Sequence, residues 1–182
     1  MNKFFFFYLS SFFLGCVSNV QPKPSAYLRL DYPEANYKKI KDRLNFSFEY
    51  NTIAQMNVKR ISSPSLLYPN MKATLYLNYI SINNNLDSLL NDAYQIPYKH
   101  ISKAESIPEK IFINSENRVY GTLFSVVGDA ASQHQFFLTD SIRHFLVGAL
   151  YFYARPNYDS IYPAVTYLKK DIIHLMETLK WQ

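Results

Sequence analysis

Apolar and polar residues alternate with a period of two over much of this chain, and the clearest run is Met71 to Ile80. There Met71, Ala73, Leu75, Leu77 and Tyr79 fall on one side and Lys72, Thr74, Tyr76 and Asn78 on the other, as a sheet with one wetter face requires. Phe46, Phe48 and Tyr50 alternate with Ser47 and Glu49 in the same way, and Tyr27 to Leu30 reads as an edge strand. The stretch between, 61–70, holds Pro64, Pro69 and serines and reads as a loop. Four more strand-like segments follow, at Lys110–Asn114, Arg118–Val127, Gln133–Thr139 and Arg143–Tyr153, with short breaks that suggest an antiparallel meander. Phe145 to Tyr153 is apolar on both alternating sets, which predicts a central strand covered on both faces.

Two segments change to helical spacing. After Asn83-Asn84-Asn85, whose side chains suit the open amides of a first turn, Leu86, Leu89, Leu90 and Ala93 form one stripe, with Pro97 kinking or ending the helix. At the C-terminus Asp159 is the predicted N-cap and Pro163 lies in the first turn. Ile161, Val165, Leu168, Ile172, Leu175 or Met176, and Leu179 recur every three or four residues, with Lys169, Lys170, Glu177 and Lys180 opposite. The expected class is α+β: an antiparallel sheet of about six strands flanked by two main helices.

The first sixteen residues do not fit that domain. Lys3 precedes the apolar run Phe4 to Leu14, followed by Gly15 and Cys16. A spanning helix needs about twenty apolar residues, so this run reads as a cleavable export signal. Bacterial lipoprotein signals resemble Leu-(Ala/Ser)-(Gly/Ala)-Cys; the chain keeps Gly15 and Cys16 and has Phe13 where Leu is usual. Cys16 is the single cysteine, and lipidation explains an odd thiol in an exported protein. Residues 1–15 are therefore expected to be the lipoprotein signal peptide, 16–25, with Pro22 and Pro24, a lipid-proximal tether, and 26–182 one globular domain.

Sixteen Tyr and fourteen Phe reinforce the strand reading. The net charge of +5, one unit of it in Lys3, is only mildly basic. Its short pairs, Lys38-Lys39, Lys59-Arg60 and Lys169-Lys170, make no nucleic-acid stripe. They read as solvated surface, with contact to anionic headgroups or acidic glycans as the lesser alternative. Catalytic signals are weak. His100, His134, His144 and His174 lack zinc-ligand spacing, so no metal or cofactor is expected, and His174 is placed on the polar or boundary face of the last helix, as a solvated side chain rather than a ligand. Asp140, Ser141 and His144, with His134 nearby, have the residue types of a hydrolytic triad, but Thr139-Asp140-Ser141 reads more simply as a turn without a nucleophile elbow. Gly121, Gly128 and Gly148 lie too far apart for a phosphate loop, and Gly148 reads as a point of close packing.

Longer strings carry a resemblance: Pro22-Lys23-Pro24, Tyr27 to Pro33, Phe46 to Tyr50, Tyr98-Lys99-His100, Val119-Tyr120-Gly121, Gln135 to Ser141, His144 to Phe152, and Leu168 to Trp181. Together with the lipid site they resemble the gliding-motility lipoprotein family GldD of Bacteroidota. The resemblance implies a non-enzymatic role in envelope machinery that moves adhesins and is bound up with type IX secretion, with proteins of that apparatus as partners. It carries over no catalytic residue. Val17-Ser18-Asn19 lacks the acidic run that surface-exported lipoproteins of this group resemble, which points to the periplasmic side of the outer or inner membrane. The element order is also similar to the Mog1/PsbP-like fold, from which no function follows. The alternative reading is a module that binds an apolar ligand, lipid or glycan through the aromatic surplus.

Overall fold

The computed structural model describes residues 31–40, 44–153 and 157–182. The signal, Cys16, the tether and the strand expected at Tyr27–Leu30 lie outside them. Strands β1 (Tyr37–Lys39), β2 (Phe46–Ser47), β3 (Glu49–Asn51), β4 (Gln55–Asn57), β5 (Ser65–Tyr68) and β6 (Ala73–Ser81) precede helix α1 (Leu86–Tyr98). Then come β7 (Ala104–Ser106), β8 (Glu109–Asn114), β9 (Val119–Ser125), β10 (Val127–Gly128), β11 (Ser132–Thr139), β12 (His144–Phe152), helix α2 (Tyr158–Thr178) and β13 (Lys180–Trp181).

A seven-stranded antiparallel sheet in the order β4-β5-β6-β12-β11-β9-β8 forms the centre. The expected meander is present as β8-β9-β11-β12. It continues onto β6, whose neighbour β12 is separated from it in the chain by α1 and β7 to β11. Phe145 and Leu146 at the start of β12 are both fully buried on opposite faces, as the two-sided apolar pattern predicted. On one face Leu75, Leu77, Phe136, Leu138, Leu146 and Leu150 pack against Leu168, Ile172, Leu175 and Met176 of α2. On the other, Phe124, Phe137 and Phe145 meet Ala93, Leu86, Leu89 and Leu90 of α1. Gly148 pairs with Phe136, and a Cβ there would come within 2.2 Å of the Phe136 ring, which is the close packing expected of it.

Several boundaries differ from the sequence reading. The loop expected at 61–70 contains β5, followed by a 3-10 turn at Pro69–Met71. Pro64 and Pro69 flank the strand without interrupting its ladder to β6. The strand expected at 46–50 is split at Phe48, because β2 pairs with β13 while β3 pairs with β1. At α1 the N-cap Asn85 makes no side-chain cap bond; its Oδ1 accepts instead from the Asn83 amide. Pro97 sits in the last turn, one residue before the helix stops at Tyr98, so the helix ends where the proline was expected to end or kink it. The N-cap of α2 is Asn157, accepting from the Ser160 amide, rather than Asp159, which moves Pro163 from the first turn into the second. The helix also ends before Leu179, whose extended backbone (φ −65°, ψ 134°) starts β13, so Lys180 belongs to a strand.

Candidate functional site

The β8–β9 and β11–β12 hairpins turn at the same end of the sheet, because Tyr120 pairs with Thr139 at the last rung between them. Both turns are tightly specified. In the first, Asn114 Oδ1 accepts the Asn117 amide (3.1 Å) and Arg118 adopts a left-handed backbone, φ 52°. In the second, Asp140 Oδ1 accepts the amides of Ile142, Arg143 and His144 at 2.8 to 2.9 Å. Thr139 Oγ1 donates to the His144 carbonyl and accepts the Ser141 amide, and Ser141 is left-handed at φ 64°. Left-handed backbone is costly for residues other than glycine, so each turn is held by its own side-chain bonds. Burial works against the charged form of Asp140, but the three amides outweigh it and hold the carboxyl below its ordinary value.

Beside these turns runs β13. Trp181 donates its indole N–H to the Arg118 carbonyl (3.0 Å) and stacks on His144, ring centroids 5.2 Å apart and 7° from parallel. His144 Nδ1 in turn hydrogen-bonds the Tyr79 hydroxyl at 2.8 Å. Turns and strand enclose a cleft of about 540 Å³ whose lining includes Arg118, Arg143 and Lys180 around Asp140, His144 and Trp181. The chemistry such a cleft performs is electrostatic: positive charge on a stiff frame, with an aromatic wall.

The triad residue types do gather here, but not as a triad. Asp140 Oδ1 is occupied by backbone amides and no side-chain hydrogen bond joins Asp140 to an imidazole, Nδ1 of His144 is bonded to Tyr79, and no hydrogen bond joins the Ser141 hydroxyl to either histidine. His134 pairs with Leu150, six residues along β12 from His144, or about 20 Å away. It is 2 % exposed and donates Nε2–H to the Val165 carbonyl of α2 (3.2 Å). Burial, helped by the charge of Lys169, pushes its pKa down to about 4. His174 lies at the boundary of α2, partly exposed, but it is partnered rather than simply solvated: it contacts Glu49 at 2.9 Å and stacks on Tyr37. The reason is that the β1–β3 ribbon covers that flank of α2. His100 is partly buried, and desolvation lowers its pKa. Among the described residues no cluster of His, Cys, Asp or Glu could hold a metal, and no helix is long and apolar enough to cross a membrane.

A second polar cluster went unnoticed in the sequence. Asp171, 4 % exposed, accepts from Asn51 Nδ2 at 3.0 and 3.1 Å and from the Tyr37 hydroxyl at 3.0 Å, while Asn51 also donates to Tyr167. Desolvation raises the Asp171 pKa against the opposing hydrogen bonds. The signal was present: Asp171 lies three residues after Leu168 and four before Leu175, inside the buried stripe. These bonds tie α2 to the N-terminal ribbon. A third feature lies beyond α1 on its face of the sheet, where Tyr76 and Tyr153, both exposed, join hydroxyls beside a depression of about 340 Å³.

An antiparallel sheet with a helix on each face, and a cationic cleft beside two hairpin turns, define an α+β protein. Comparison with known families gives the particular one. Residues 17–181 match the model of the gliding motility lipoprotein GldD, and the chain belongs to that family. A search of curated proteins finds no match.

Proposed function

We propose that this gliding motility lipoprotein is a non-enzymatic component of the cell envelope that supports assembly or stability of the gliding and type IX secretion machinery. In this reading diacylglycerol is attached at Cys16, residues 16–25 are the tether, and residues 26–182 form one domain on the periplasmic side that contacts protein components of the apparatus. The observation that carries it is the family match across 17–181, which begins directly after the lipidation cysteine. The occupied hydrogen bonds of Asp140 and His144 support a non-catalytic role. Deleting the gene in the source organism should stop movement on glass, and restoring the intact gene should return it; normal gliding in the deletion strain would refute the assignment.

The exposed Tyr76–Tyr153 pair beside Asn57, Ser63 and Ser65 favours one second reading, a glycan-binding surface, because sugars pair aromatic faces with hydroxyl and amide partners. It supports an apolar ligand less, since the depression is rimmed by polar side chains. Native mass spectrometry of the purified lipoprotein separates the readings: a co-purified saccharide lost in Tyr76→Ala establishes the second, and its absence leaves the first.

A further inference from the structure

We propose that the cleft between the two hairpin turns and β13 binds a phosphate-bearing group, with Arg118, Arg143 and Lys180 as its cationic contacts. This goes beyond the machinery reading and does not depend on it. The three cations are supplied by residues 118, 143 and 180, from separate parts of the chain, and converge on one cavity. None of them takes part in an ion pair among the described residues. The acid in the lining, Asp140, has its Oδ1 committed to three amides, so part of its charge is already answered by the turn. What remains is a concentration of positive charge without an internal partner, in a chain whose cations are otherwise scattered.

The frame is stiff. Arg118 and Arg143 project from turns fixed by Asn114, Thr139 and Asp140, and Lys180 lies in a strand paired through Ser47. Trp181 locks the first turn to His144 by its indole bond and its stacked ring. The backbone that carries the three cations is thus already ordered, and what an arriving ligand must still order is their exposed side chains. A phosphate suits the set better than a carboxylate because its oxygens can be shared among three donors, and guanidinium groups bind it through paired N–H bonds. At about 540 Å³ the cleft has room for more than a bare anion. Trp181 and Ile142 offer apolar surface to whatever carries the phosphate, whether a free phosphorylated sugar or a lipid headgroup.

The protein contains its own reporter, since Trp181 is its single tryptophan and lines the cleft. The mature lipoprotein in neutral detergent is titrated with glucose phosphate, with glucose as the uncharged control, and tryptophan emission is followed. The same reading is taken in nanodiscs of phosphatidylcholine with and without phosphatidic acid. A saturable change with glucose phosphate alone assigns a free phosphorylated saccharide, and a change confined to phosphatidic acid discs assigns a headgroup. In either case Arg143→Gln and Lys180→Gln, both at exposed side chains, should each weaken binding by about tenfold, the scale of one charge-assisted hydrogen bond. No response in either arm, an equal response to glucose, or full response in the Arg143→Gln, Lys180→Gln double variant would overturn the proposal. Circular dichroism of the variants confirms that fold is retained.

Discussion

Acidification should unfold this protein partly through one residue, His134. Its ring is 2 % exposed between β11 and α2, with Nε2–H given to the Val165 carbonyl. Protonation would place a charge in the core near Lys169. In the unfolded chain the ring takes its proton near the ordinary value of 6.5, and in the folded protein only near 4. Between those values the unfolded state binds more protons, so stability falls as pH drops through that window and is level above it. A separation of this size corresponds to about 3 kcal/mol, a large share of the roughly 5–15 kcal/mol typical of a domain. The assay is urea unfolding of wild type and His134→Gln at neutral pH and again at the bottom of the window, compared as differences. Asp171, whose pKa is raised, contributes the opposite slope: its stabilisation is full below 3.8 and is lost as pH rises through the folded value. Asp140, whose pKa is lowered, loses its contribution only as pH falls below 3.8. Both are common to the two proteins and subtract out. Wild type should lose about 3 kcal/mol more than the variant on acidification. Equal losses would show that His134 is not held neutral by burial, and the reasoning would fail.

Three further outcomes are expected. Asp171→Ala strips the Asn51 amide and Tyr37 hydroxyl of their acceptor and should cost about 2–5 kcal/mol in thermal or urea unfolding; a loss below about 1 kcal/mol would mean that the ribbon simply lets go of α2. Gly148→Ala drives a methyl into the Phe136 ring and should cost about 1–3 kcal/mol, with Phe136→Leu in the same chain recovering part of it. If the double variant is no better than the sum of its parts, the ring is not the obstacle. Cys16→Ser should move the protein from the membrane to the soluble fraction and abolish incorporation of labelled palmitate, and retention in the membrane would disprove anchoring through that thiol.

How much of this was readable in advance depended on whether the partner of each segment lay nearby in the chain. The strand at 71–80, the four-strand meander and the buried stripe of the last helix were legible, since each is specified by its own alternation and by a neighbour one turn away. β5 was missed because its two prolines mark a break locally, although they sit outside the four paired residues Ser65 to Tyr68. Phe46 to Tyr50 looked like one strand, and only the distant partners, Trp181 on one side and Tyr37 on the other, divide it. The same distance hid the cleft. Asp140 and Ser141 were recognisable as a turn, but a scan for charge along the chain sees Arg118, Arg143 and Lys180 as isolated cations. Their convergence requires that α2 stop at Thr178, so that Leu179 can be buried, Trp181 can pair with Phe46 and stack on His144, and Lys180 can face the hairpin turns. Had the helix continued one more turn, as its spacing suggested, Lys180 would lie on a helix face and the cleft would lose both a cation and its aromatic wall. The cationic site is thus a product of the helix terminus, and the core that fixes that terminus also determines what the cleft can bind.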